Sequence, residues 1–287
     1  MTTDGLRAAL RGVRGLVLDA DGVLVLQAKA LPGSVDAVRS LDERGIPFRV
    51  VTNFSQLHRE TLAAWFEKGG VRIAADRIIT AVSATATYAA AAHAGRPLFV
   101  IAAADARREF DGHEMLSADA ADAVPAGTVA AVVIGDGGDD LSYRNLDVAF
   151  RLVHGGAELL AMHRNPWWLT QRGITLDAGA YVVGLEFATG RRARTLGKPS
   201  ADVFRQAVDG LRADLGERRL PRSAFAMVGD DPKADVAAAQ RAGLRGVLVL
   251  SGKTSAADVE RAESRRTRGR GPDAVAATLA EVVAALD

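Results

Sequence analysis

Leu16-Val17-Leu18 runs straight into Asp19-Ala20-Asp21-Gly22, an abrupt passage from bulky apolar side chains to two acids and a glycine. An apolar run without polar alternation suits a strand covered on both faces, and the cluster that follows suits a tight turn at its carboxyl end. The pattern recurs. Phe48 to Val51 leads into Thr52-Asn53-Phe54-Ser55, and Ala224 to Val228 leads into Gly229-Asp230-Asp231. Helical spacing fills the intervals: Val35, Val38 and Leu41 before a stop at Gly45, Leu62 and Phe66 after Ser55, and Val236 and Ala239 before Gly243 and a strand-like Gly246 to Leu250. Such alternation predicts an α/β fold with a parallel, Rossmann-like sheet and helices on both faces. Ligands of these sheets lie beyond the carboxyl ends of the strands, so the three polar clusters are expected along one edge.

At 287 residues the chain exceeds the usual size of one domain. Residues 85–192 carry strand patterns of their own (Leu98 to Ala102, Val129 to Ile134, Glu158 to Met162) and helical ones (Leu146 to Val153, Tyr181 to Ala188), which predicts an inserted domain. The core is then expected in two parts, residues 1–84 and 193–287. The Arg- and Gly-rich stretch from Glu260 to Gly271 reads as a solvated loop before a closing amphipathic helix with Val275, Leu279, Val282 and Leu286.

Composition removes several function classes. Thirty-six Lys and Arg against 35 Asp and Glu leave no global field to recruit nucleic acid or an anionic membrane. The absence of cysteine excludes disulfides, thiolate zinc sites and thiol nucleophiles together. Met1 to Arg14 lacks the apolar core of a signal peptide, and no stretch approaches the ~20 apolar residues that span a bilayer, so a cytoplasmic location is expected. Gly252-Lys253-Thr254 resembles the end of a P-loop, but Val247 stands where the earlier glycine belongs. Gly135-Asp136-Gly137-Gly138 has Asp140 in place of the last glycine of a dinucleotide fingerprint. His93, His113 and His154 lack zinc-binding partners.

Like charges at Asp19 and Asp21 are costly at a buried strand end unless a cation neutralises them. Mg2+ prefers oxygen ligands and would be completed by Asp230 or Asp231 from the other strand end. A carboxylate nucleophile attacking phosphorus forms an aspartyl phosphate, whose hydrolysis needs an acid that turns into a base; Asp21 stands close enough in sequence for that role. Thr52, Asn53 and Lys198, the last in Leu196-Gly197-Lys198-Pro199-Ser200, suit the phosphoryl oxygens.

These residues, in this chain order, resemble the haloacid dehalogenase (HAD) superfamily of phosphatases: Asp19-x-Asp21-Gly22, Thr52-Asn53, Lys198-Pro199, and Gly229-Asp230-Asp231 through Asp235. An insertion between the Thr and Lys motifs, with Thr52-Asn53-x-Ser55 and Gly197-Lys198-Pro199-Ser200, resembles subclass IIA, the NagD and p-nitrophenyl phosphatase-like group. Leu141 to Leu146, Leu176 to Tyr181 and Gln240 to Gly243 resemble the phospholysine phosphohistidine inorganic pyrophosphate phosphatases within it. The resemblance implies a three-layer core with a C2-type α/β cap. Asp19 would be nucleophile and metal ligand, Asp21 acid/base and ligand through its carbonyl, and Asp230 the completing ligand of Mg2+. Asp235 would support the metal waters or Lys198, with Asp231 beside them. Thr52, Asn53 and Lys198 would hold the phosphoryl group.

Two departures stand out: Phe54, where many relatives are polar, and His163-Arg164-Asn165-Pro166-Trp167-Trp168 in the cap. His163, Arg164, Asn165 and Trp168 are the candidate substrate contacts, Arg164 for an anionic tail; the paired tryptophans equally suit the cap's own core. The expected reaction is hydrolysis of small phosphorylated metabolites, with P–N and pyrophosphate bonds as alternatives. A homodimer through the cap is a further expectation from the subclass. A dehalogenase would not need the second aspartate, a phosphomutase would transfer the group instead of releasing it, and a silent phosphate-binding regulator would not need all four motifs.

Overall fold

The computed structural model describes residues 3–26, 29–170, 173–264 and 271–287. Its backbone gathers into two compact units, Met1–Thr52 with Glu60–Ile79 and Lys198–Asp287, and Asn53–Arg59 with Thr80–Gly197.

The first unit is built on a six-stranded sheet of order β14-β13-β12-β1-β4-β5: Ala274–Ala276, Arg245–Val249, Phe225–Gly229, Gly15–Leu18, Phe48–Thr52 and Ile78–Thr80. β1 pairs in parallel with β12 and β4, and β13 with β12 and β14. Every residue of β1 and β12 is buried. Successive side chains of a strand point to opposite faces, so both faces of the sheet are covered, as a three-layer Rossmann-like core requires. The helix Ser34–Glu43 buries Ser34, Ala37, Val38 and Leu41, one stripe of its surface. A second helix, Ala201–Asp214, is capped by Ser200 and buries Val203, Phe204, Ala207, Val208 and Leu211. A short hairpin, β2 (Val25–Leu26) and β3 (Lys29–Ala30), follows the first acid cluster.

Val275, expected in the closing helix, lies instead in β14, and the helix is Leu279–Ala284. Ala-Val-Ala is too short a run to register as a strand by pattern; its pairing with β13 creates it. Residues 265–270 of the Arg-rich stretch lie outside the described residues.

The second unit has a parallel sheet of order β11-β8-β7-β6: Arg194–Thr195, Glu158–Ala161, Ala131–Ile134 and Leu98–Ile101. Phe99, Val132, Ile134, Val148, Leu159 and Val182 belong to its core. An antiparallel hairpin, β9 (Trp167–Thr170) and β10 (Gly173–Leu176), precedes the helix Ala178–Thr189. The expected breaks at 84/85 and 192/193 differ from the divisions at Ile79/Thr80 and Gly197/Lys198. Arg194 and Thr195 pair with Leu160 and Ala161, and Gly197 N–H donates to the Met162 carbonyl, which binds that stretch to the second unit. Among the described residues no helix is long and apolar enough to cross a membrane.

Candidate active site

Asp19 follows β1 directly, and its N–H still donates to the Val228 carbonyl of β12, which continues the ladder one residue past the strand. Its carboxylate is thereby fixed at the sheet edge, buried, with Oδ1 accepting from Ala20 N–H at 2.7 Å. Lys198 places Nζ 2.6 Å from Asp19 Oδ1 and 2.8 Å from Asp235 Oδ1. Asp230, first beyond β12, and Asp235 complete the group: one carboxylate oxygen from each of Asp19, Asp230 and Asp235 lies within 4.8 Å of the others. Thr52, buried, ends β4 on the other side of β1.

A π-turn, Pro232–Ala237, brings Asp235 back to the strand end. Asp231 caps it, accepting from Lys233 N–H at 2.8 Å and Ala234 N–H at 3.0 Å, while Asp231 N–H donates to Asp235 Oδ2. Gly229 is required by close approach, since a Cβ there would lie 2.4 Å from Asp235 Cβ.

Burial opposes charge on Lys198, but Asp19 and Asp235 outweigh it and push its pKa up, so the ammonium persists. Burial, then Asp235 and Asp230, holds Asp19 well above the usual carboxylate range against the pull of Lys198. Asp230 is raised by burial and by Asp235, with Lys253 N–H opposing. Asp21 is solvent-exposed as a residue, yet enough protein crowds its carboxyl to raise its pKa through desolvation, Lys198 again opposing. Three buried carboxylates face one ammonium, an excess of two negative charges when all are ionised. That excess, with hard oxygen donors only, fits a divalent cation of the Mg2+ type.

The second unit uses its polar residues differently. Ser55 Oγ and His163 Nε2 are 3.0 Å apart, both buried. Asn165 N–H donates to His163 Nδ1, which assigns the imidazole proton to Nε2. Asp177 Oδ1 lies 3.8 Å from that same Nε2 and accepts from Ala178 N–H. Serine and aspartate share one ring nitrogen, so this is not a nucleophilic triad, in which they flank the ring on opposite nitrogens. Burial lowers the His163 pKa, with Asp177 and Asp136 opposing. Gln56 Nε2 donates to Asp136 Oδ2 at 2.6 Å. Asn53 opens this unit and abuts Gly197, where a Cβ would come within 2.7 Å of its Oδ1.

Of the cap residues expected to meet substrate, His163 therefore turns inward, and Arg164 forms a two-pronged pair with Glu186 at 2.6 and 2.9 Å. Asn165 is exposed and Trp168 half-buried on β9, opposite Thr175. Trp167 is 56% exposed, which removes it from the cap's core.

One segment escaped the sequence reading. Ser251-Gly252-Lys253-Thr254 follows β13 and lies against Asp230: Lys253 N–H donates to Asp230 Oδ2 at 2.6 Å and Thr254 Oγ1 to the Asp230 carbonyl at 2.7 Å. It lacks the first glycine of a P-loop, and its position at a fourth strand end, next to β12, is the signal that marks it.

Comparison with known proteins identifies the family. Residues 16–115 match the family model for haloacid dehalogenase-like hydrolases, and residues 195–282 match a second, HAD-hydrolase-like model. Haloacid dehalogenase-like hydrolase domain-containing protein 2 of Bos taurus is 31% identical over 254 residues, 88% of this chain and 90% of that protein. Phospholysine phosphohistidine inorganic pyrophosphate phosphatase of Danio rerio is also 31% identical, over 90% of each. The structure of a p-nitrophenyl phosphatase from Archaeoglobus fulgidus superposes with a TM-score of 0.82 at 27% identity, covering 95% of this chain and 99% of that one. The chain belongs to the haloacid dehalogenase-like hydrolases.

Proposed function

We propose that this phosphatase of the haloacid dehalogenase family hydrolyses small phosphorylated metabolites through an aspartyl phosphate on Asp19, with Mg2+ as its cofactor. The observation that carries the reading is the meeting of Asp19, Asp230, Asp235 and Lys198 at the carboxyl ends of β1 and β12. Asp19 and Asp230, with the Asp21 carbonyl, would hold the ion, which when bound offsets the charge of the phosphoryl oxygens. Lys198 and Ala20 N–H orient the Asp19 carboxylate. An oxygen of Asp19 attacks phosphorus, the bond to the leaving oxygen breaks, and Asp21 supplies the proton that oxygen needs. The raised pKa of Asp21 suits an acid of this kind. Asp21 then takes a proton from water, the water oxygen bonds to phosphorus, and the Asp19–phosphorus bond breaks to release orthophosphate. Thr52, Asn53 and Lys198 hold the phosphoryl group, Asp231 and Asp235 support the acids, and Asn165 and Trp168 remain the cap contacts.

Release of orthophosphate from a panel of phosphomonoesters, with a phosphoamide and pyrophosphate included because of the Danio rerio relative, defines the substrate class. Asp19→Asn is expected to reduce release by at least about 1,000-fold with the circular dichroism spectrum unchanged; an active Asp19→Asn variant would falsify the nucleophile. Apolar exposure at Trp167, Ile174, Leu176 and Phe187 supports a homodimer through the cap, which light scattering of wild type and Phe187→Lys checks: a monomeric wild type rejects it.

A further inference from the structure

We infer that Ser251–Thr254 is a positioning element that locks Asp230 in one orientation and thereby sets the site's selectivity among divalent cations. The inference rests on the reading of Asp19 and Asp230 as ligands of one ion.

Gly229, the last residue of β12, pairs with Leu248 of β13, so the segment after β13 emerges beside Asp230. Four side-chain or backbone donors from it fix the neighbouring strand ends. Lys253 N–H takes Asp230 Oδ2, Thr254 Oγ1 takes the Asp230 carbonyl, Ser251 Oγ takes the Gly22 carbonyl at 2.7 Å, and Lys253 Nζ takes Asp231 Oδ2. Thr254 is buried. The segment therefore ties the turn after β1 to the acids after β12, the two places from which the ion's ligands come.

Packing closes the arrangement. A Cβ on Gly22 would lie 2.1 Å from Asp230 Oδ2, and a Cβ on Gly252 would lie 2.1 Å from the same oxygen and 2.5 Å from Gly22 Cα. Asp230 Oδ2 is thus wedged between two glycines and held by an N–H, which prevents the carboxylate from rotating. With Oδ2 held in this way, Oδ1 would be the oxygen offered to an ion shared with Asp19. Gly22 also has a φ of +77°, whereas Gly252 is glycine for space alone.

A carboxylate that cannot turn favours a small ion with strict octahedral geometry over one that accepts irregular shells. Mg2+ needs ligands at about 2.0–2.1 Å, while Ca2+ tolerates about 2.3–2.6 Å and six to eight oxygens. Displacing the carboxylate by crowding it, or freeing it by removing a hydrogen bond, should therefore weaken Mg2+ more than Ca2+. Isothermal titration calorimetry of the metal-free full chain with each ion alone tests this. Gly252→Ala is expected to weaken Mg2+ at least about tenfold and Ca2+ less than about threefold. Thr254→Val, which removes one hydrogen bond without a steric clash, is expected to move the ratio the same way by several-fold, and Thr254→Ser to restore it. A Thr254→Val protein that is folded and keeps the wild-type Mg2+ to Ca2+ ratio overturns the inference. A wild type that binds neither ion overturns the metal reading itself, a result distinct from an unchanged ratio.

Discussion

The two units each bury a knot of polar side chains, and the knots are built on opposite principles. In the cap unit, Ser55, His163, Asp177, Gln56 and Asp136 satisfy one another, with His163 kept neutral and each acid supplied with a donor. In the core unit, Asp19, Asp230 and Asp235 are crowded against a single ammonium, and burial with mutual repulsion drives Asp19 and Asp230 upward. A self-satisfied polar knot fixes a local structure. A knot with surplus charge is tolerated only if something from outside completes it, and that distinction separates scaffold from site.

The sharpest way to break the comparison is to remove the core's one counter-ion. Lys198→Met leaves Asp19 and Asp235 without their shared cation, a loss of about 3–5 kcal/mol for a broken buried pair. Phosphatase activity is expected to fall by three orders of magnitude or more, and Mg2+ to restore a larger share of the lost stability than it adds to the wild type. Chemical denaturation with and without the ion measures this. An equal Mg2+ increment in both proteins would mean that the acids do not share one electrostatic problem.

Much of this contrast was legible in the sequence, and the reason is local. Asp19, Asp21, Thr52, Asp230 and Asp231 announce themselves because each lies at the end of an apolar run or in the short polar cluster that follows it, so strand end and candidate chemistry are read together. Lys198 is legible as the lysine suited to phosphoryl oxygens and through the family's motif order, but its burial is not, since nothing in its neighbourhood marks it as buried. The cap knot was not legible: Ser55 and His163 are 108 positions apart, and no periodicity pairs a serine in one loop with a histidine in another. The pairing of Arg164 with Glu186, 22 residues on and beyond the turn of the hairpin, was illegible for the same reason. The Ser251–Thr254 segment carries the end of a P-loop pattern without its first glycine, so its sequence alone does not reveal that it braces Asp230.

A smaller effect tests the cap knot. His163 is held neutral, its folded pKa lying below the ordinary 6.5 of the unfolded chain. Below about 6.5 the unfolded state therefore binds a proton that the folded state resists, so His163 contributes a loss of stability as pH falls from 7 toward its lowered folded pKa. His163→Gln, which keeps a donor for Ser55, should cost about 1–3 kcal/mol at pH 7 and flatten that decline. Denaturant titrations at pH 7 and pH 5 decide it; a variant with an undiminished slope would assign the pH dependence to other groups.

Arg164 offers the smallest effect and the finest discrimination. Its guanidinium is held by both oxygens of Glu186, and that hydrogen bonding lowers the Glu186 pKa and raises its own. Arg164→Ala would not strand Glu186, because Ala193 N–H donates to it at 2.9 Å and Arg192 stands 3.6 Å away. With the arginine side chain 35% exposed, the net cost is expected near 1 kcal/mol, or about 2–4 °C in Tm for a chain of this size. An arginine committed to the scaffold should leave KM for anionic and uncharged phosphate esters in the same ratio, within about twofold. A KM that rises selectively for anionic substrates would mean that Arg164 exchanges Glu186 for the substrate. The cap's polar groups would then belong partly to the site, and the division between a self-satisfied scaffold and a charge-surplus centre would no longer follow the two units.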